Sequence, residues 1–249
     1  MTNIIFNDKT IENIKNIIWD KDGTLTDVHL YWGEIIKRRA KAIIKEYNLN
    51  SIYYEKICSM LGLNLQTGKL KEEGPVGVLS RQEILEKLNE YLLNNKINSE
   101  QEINEKIFDE VHKEFRPYIF EYVRLLPYVT ETLKKFKDAG LKQYIITSDT
   151  SENALSITKR LGIYEYFNKI WGKNEVPYPK KTGIPALKLM EQEGLNPKET
   201  ICIGDTKMDF DMAYNSKCYC ILVASGQIPK NALSNYTDSI QSLNDITIK

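Results

Sequence analysis

The chain has 249 residues, with 34 Lys+Arg balanced by 34 Asp+Glu, so its formal charge is zero. That balance argues against a general nucleic-acid binder, which needs a net positive field, and no apolar run approaches the roughly 18–20 residues that span a bilayer. With 42% hydrophobic and 27% charged residues, 13 Gly and 8 Pro, it reads as a soluble globular chain, long enough for one large domain or a domain with a sizeable insert.

The start, MTNIIFNDKTIENIK, lacks a basic segment followed by a long apolar stretch, so a cytoplasmic protein without a secretion signal is expected. Cys58, Cys202, Cys218 and Cys220 fit small buried hydrophobes in a reducing compartment better than metal ligands.

Residues 13–20, NIKNIIWD, form a short apolar run ending in an acid, the pattern of a buried parallel strand closing at Asp20. The period then turns helical. Trp32, Ile35, Ile36, Ala40, Ile43, Ile44 and Tyr47 lie on one helix face, with Lys37, Arg38, Lys41 and Lys45 between them on the solvated side. Further helices are expected at about 51–60, 80–94 and 100–114. Residues 64–81, with three glycines and Pro75, form a long loop of a kind that is often functional.

From about residue 125 strands and helices alternate. Pro127 opens a helix running to Ala139-Gly140. Strands follow at 142–149, 168–172, 200–205 and 218–224, with a weaker one near 237–241. The helices between them cover 151–161, 183–193 and about 207–216. This order predicts an α/β fold, a doubly wound parallel sheet, with residues 28–124 inserted as an all-helical domain after the first strand. The parent domain is then 1–27 plus 125–249.

In such sheets ligands bind beyond the carboxyl ends of the strands. Three predicted strands end there in polar groups: Asp20, then Thr147-Ser148-Asp149, then Asp205. Helices that begin just afterwards would aim their N-termini at the same place. Carboxylates and anion-seeking amides converging on one point suggest a divalent cation bridging to a phosphate, and Mg²⁺ is the natural choice for a hard-oxygen site.

The segment Asp20-Lys21-Asp22-Gly23-Thr24-Leu25-Thr26-Asp27 resembles the first motif, DxDGT, of the haloacid dehalogenase superfamily. Thr147 is similar to the second motif, and Lys180, 25 positions before Asp205, to the third. Gly204-Asp205-Thr206-Lys207-Met208-Asp209 is similar to the fourth, GDxxxD. The insert resembles the helical cap of the phosphoglycolate-phosphatase-like branch. Lys181 competes with Lys180 for the third motif, whose usual following proline is absent, and Lys217 stands where the family usually has glycine.

The resemblance implies a Mg²⁺-dependent phosphatase with a small phosphorylated metabolite as substrate, acting as a monomer or homodimer, without nucleic-acid or membrane partners. Asp20 would be the nucleophile and Asp22 the general acid and base. Asp20 and Asp205 would hold Mg²⁺ together with the backbone carbonyl of Asp22. Asp22, Gly23, Thr147, Ser148 and Lys180 would bind the phosphoryl group, Thr147 and Lys180 acting as catalytic groups, and Asp209 would act behind them through water or by orienting Lys180. Dehalogenases lack an acid two residues after the nucleophile, so Asp22 favours phosphate chemistry. β-Phosphoglucomutases keep both acids but carry a histidine where this chain has Trp32, which places a mutase second to a phosphatase. A binding protein on the same fold is a third reading, weakened by retention of both acids. Within the 64–81 loop, Lys69, Lys71 and Arg81 are candidate contacts to a second anionic group on the substrate.

Overall fold

The computed structural model describes residues 2–76 and 79–249. The chain divides into two compact units, Met1–Asp27 with Arg124–Lys249, and Val28–Val123.

The first unit contains strands β1 (Thr2–Phe6), β2 (Lys9–Ile14), β3 (Asn16–Trp19), β4 (Lys142–Ile146), β5 (Lys169–Trp171), β6 (Thr200–Gly204), β7 (Tyr219–Val223), β8 (Ser239–Ile240) and β9 (Thr247–Ile248). The helices of the second unit are α1 (Val28–Glu46), α2 (Tyr53–Met60), α3 (Arg81–Asn94) and α4 (Gln101–Phe115). Those of the first are α5 (Val129–Asp138), α6 (Ser151–Arg160), α7 (Ile184–Glu193), α8 (Lys207–Ser216) and α9 (Lys230–Leu233).

Six strands form a parallel sheet in the order β5-β4-β3-β6-β7-β8. Its central strands are mostly apolar and buried, because both faces are covered. The two-residue period separates the faces. Ile17, Trp19, Ile145, Ile201, Ile203, Ile221 and Val223 pack with Val129, Leu133 and Phe136 of α5 on one side. Ile18, Tyr144, Ile146 and Cys202 pack with Leu189 and Met190 of α7 and Met212 and Ala213 of α8 on the other. Buried Gln143 satisfies both its amide ends, accepting from Trp19 Nε1 at 3.0 Å and donating to the Leu133 carbonyl at 2.9 Å.

The N-terminal segment corrects the expected first strand. Asn13 and Ile14 do not belong to the parallel sheet; they end β2, which pairs antiparallel with β1 in a separate sheet of order β2-β1-β9. The turn residues Asn7 and Asp8 both have positive φ, 46° and 59°, the pattern of a two-residue hairpin loop of matching twist. Helix α5 starts at Val129, two residues after Pro127, and the weak C-terminal strand is limited to β8.

The helical unit has its own core, in which Ile36, Ala40 and Ile43 of α1 pack with Ile57, Leu61, Leu88 and Phe108. Lys37 and Arg38 are half-buried and pair with Glu34 at 2.8 and 2.9 Å. Residues 77 and 78 of the 64–81 loop lie outside the described residues. Within that loop Leu70 forms an antiparallel bridge with Leu63, just before it, and Leu70 N donates to His29 Nδ1 at 3.1 Å. Two of the loop's three candidate cations are already engaged. Lys71 Nζ donates to Ser59 Oγ, and Arg81 pairs with Asp109 at 2.6 Å as the first residue of α3.

Candidate active site

The site is built at the carboxyl ends of β3, β4 and β6. Asp20 follows β3 directly and its backbone N–H donates to the Ile203 carbonyl at 2.8 Å, which locks it beside the end of β6. The chain then turns through Gly23, φ +94°, where a side chain would be strained. A Cβ at Gly23 or at Gly226 would overlap the Asp205 carboxylate, so both backbones approach that carboxylate as only glycine can. Thr24 Oγ1 donates to Asp205 Oδ1 at 3.3 Å and Ser225 Oγ to the Gly23 carbonyl at 2.7 Å, joining the motif to β6 and to the loop after β7.

Asp20, Asp205 and Asp209 are all buried, each offering an oxygen within 4.8 Å of the others. Lys180, on a 3₁₀ turn at Lys180–Thr182, joins two of them, its Nζ 2.5 Å from Asp20 Oδ1 and 2.5 Å from Asp209 Oδ1. Lys181 is exposed, its carbonyl accepting from Asn215 Nδ2 at 2.9 Å. Asp209 has a second duty. Its Oδ2 accepts from Thr206 N at 3.0 Å and Thr206 Oγ1 at 2.7 Å, a capping box that starts α8.

Three carboxylates around one ammonium leave an excess of negative charge away from water. Burial first, then the charges of Asp209 and Asp22, push the Asp20 carboxyl up to about 7 against the pull of Lys180. Burial and the charges of Asp20 and Asp209 drive Asp205 well above the carboxylate range. For Lys180 burial acts downward, but Asp20 and Asp209 outweigh it and the ammonium is held above its ordinary value. A hard-oxygen cluster that resists ionising for want of positive charge fits a small divalent cation.

The remaining predicted residues follow the ends of β3 and β4. Thr147 is buried immediately after β4, its N–H donating to the Trp171 carbonyl at 3.0 Å and its Oγ1 accepting from Asp149 N at 3.2 Å. Ser148 is exposed. Asp22 is half-buried, and its Oδ1 accepts from Lys21 Nζ at 2.6 Å and Thr26 Oγ1 at 3.1 Å. The caps of the two adjoining helices are Thr150 and Thr206; Asp149 instead lies 3.3 Å from Lys21. The sequence motif gave Lys21 no role of its own. The available signal was its place between two acids at the end of a fully buried strand.

A family model described as haloacid dehalogenase-like hydrolase matches residues 14–216. A phosphoglycolate phosphatase of Vibrio vulnificus is 29% identical over 124 residues, 47% of this chain and 54% of that protein, so the chain spans about half the length of that relative. One from Neisseria gonorrhoeae is 24% identical over 216 residues, covering 87% of this chain and 82% of its own. Among solved structures, the crystal structure of a predicted phosphoglycolate phosphatase from Haemophilus somnus superposes with a TM-score of 0.71 at 19% identity, covering 94% of this chain and 97% of that one. Among the described residues no helix is long and apolar enough to cross a membrane. The family match over most of the chain, on a parallel sheet whose strand ends gather the acids and the lysine, means that this chain belongs to the haloacid dehalogenase-like hydrolases.

Proposed function

We propose that the protein is a phosphatase that transfers the phosphoryl group of a small metabolite to Asp20 and then to water. The observation that carries this reading is the cluster of Asp20, Asp205 and Asp209 around Lys180, with Asp22 beside it. Asp20 and Asp205, with the Asp22 carbonyl, would hold Mg²⁺, which when bound neutralises charge between carboxylate and phosphate. An Asp20 oxygen attacks phosphorus and the ester P–O bond breaks. Asp22 gives its proton to the departing alkoxide, then takes one from the water that opens the aspartyl-phosphate, returning both residues to their starting states. Lys180 and Thr147 hold the phosphoryl oxygens, and Asp209 keeps Lys180 in place. The names of the relatives make phosphoglycolate the first substrate to try.

The test is a screen of phosphorylated metabolites, phosphoglycolate included, for phosphate release with Mg²⁺ and with EDTA. Release that needs Mg²⁺ and falls at least ~10³-fold in Asp20→Asn supports the reading, since a carboxamide cannot act as the nucleophile. Release that is equal in EDTA contradicts the metal assignment; equal release by the variant contradicts the nucleophile.

A further inference from the structure

Lys21 has no part in the scheme above, yet its side chain is only 2% exposed. An ammonium taken out of water is strongly destabilising unless it is paired. The pairing is directional. Lys21 Nζ donates to Asp22 Oδ1 at 2.6 Å and lies 3.3 Å from Asp149 Oδ2. Asp149 is itself immobilised, its Oδ1 accepting from Thr150 N at 2.8 Å and its Oδ2 from Asn153 Nδ2 at 2.6 Å. Lys21 is therefore anchored to the residue just before the N-cap of α6 and cannot swing away from Asp22 without leaving a buried charge unpaired.

The two oxygens of Asp22 are not equivalent. Oδ1 receives both Lys21 Nζ and, at 3.1 Å, Thr26 Oγ1, and among the described residues no donor reaches Oδ2. A carboxyl oxygen already accepting from an ammonium is a poor place for a proton, because the proton would face a positive charge. We propose that Lys21 is a positioning residue for Asp22: with Thr26 it clamps Oδ1 and reserves Oδ2 as the oxygen that carries the transferred proton. This rests on the phosphatase reading, and specifically on Asp22 as the general acid. The competing account, in which Lys21 only staples two loops, differs in one respect. Loss of a staple weakens every substrate alike, whereas a misaligned acid harms only esters whose leaving group needs a proton.

The experiment compares kcat/KM for an alkyl phosphate and for dinitrophenyl phosphate, whose phenolate departs unprotonated, in wild type, Lys21→Met, Lys21→Arg and Asp22→Asn. Because kcat/KM covers only the steps through the first phosphoryl transfer, the later attack of water does not enter. The ratio between the two substrates is independent of the fraction of protein that is folded. Lys21→Met is expected to lower the alkyl value about 10–100-fold and the dinitrophenyl value less than about threefold, with a larger split for Asp22→Asn, within the roughly 10²–10⁴-fold reach of general acid catalysis. Lys21→Arg, which restores a charged donor, should recover part of the loss. Equal falls on both substrates in Lys21→Met, with the split retained in Asp22→Asn, would overturn the proposal and leave the phosphatase reading intact. An Asp22→Asn variant without a split removes the acid role and the proposal with it. Should Lys21→Met not be recovered folded, Lys21→Gln, a donor without charge, is read by the same ratio.

Discussion

Burial holds the Asp20 carboxyl at about 7, against an ordinary value of 3.8. An acid whose pKa is raised by folding binds its proton more tightly in the folded state. Its contribution to stability is thus present below 3.8 and is lost as pH rises through about 7. Mg²⁺ at the same carboxylates should offset that loss. The rise in Tm on adding Mg²⁺ is therefore expected to be larger near pH ~8 than near pH ~5, as differential scanning fluorimetry can measure; equal shifts would contradict the charge account. Asp205→Asn separates charge from fold. Without Mg²⁺ its Tm should match or exceed that of wild type, because a neutral amide cannot add negative charge to this crowded acidic site, while the Mg²⁺-induced shift should vanish. A shift that survives would place the cation elsewhere. At this scale the sequence marked Asp20, Lys180 and Asp205, which the structure brings together, by their places at predicted strand ends and in motif-like segments. It was silent on Lys21, because an ammonium's burial depends on partners such as Asp149, 128 positions away in the chain.

The elements were legible wherever hydrophobic period or glycine chemistry marked them. The parallel strands read as apolar runs, and α1 as a three-to-four-residue stripe. The N-terminal hairpin was not legible because β2 is mostly exposed and carries little apolar alternation, and because β1, its partner strand, pairs on its other edge with β9 at the far end of the chain. The end of α8 is a third case. Lys217 takes φ +61° as the cap after Ser216, the left-handed conformation that glycine adopts without strain. Replacing it should relieve that strain, so Lys217→Gly is expected to raise unfolding stability by roughly 0.5–1 kcal/mol in denaturant titration. A loss of stability would mean that the lysine side chain contributes more than its backbone costs.

Across the whole molecule, the two units keep separate hydrophobic cores, and the helical one contains a charge of its own. Arg39 is buried in α1 with its guanidinium 3.8 Å from the centroid of the Phe108 ring, and burial lowers its pKa to about 9. Its Nε has no hydrogen-bond partner among the described residues. Replacing a poorly compensated buried cation by an apolar side chain of similar length is often neutral or stabilising, so Arg39→Met should leave Tm unchanged or raise it. A clear fall would show that the stacked guanidinium stabilises the unit. The helical character of residues 28–123 was readable from period alone, whereas the engagement of Arg81 with Asp109 depends on how α3 meets α4. The central claim is that phosphate passes through Asp20, and trapping tests it most directly. Wild type and Asp20→Asn are mixed with substrate and Mg²⁺, quenched in acid, digested and analysed by mass spectrometry. The account predicts a phosphoryl adduct on the wild-type peptide that contains Asp20 and none in the variant. Phosphate release by Asp20→Asn at the wild-type rate, or an adduct on a different residue, would contradict it.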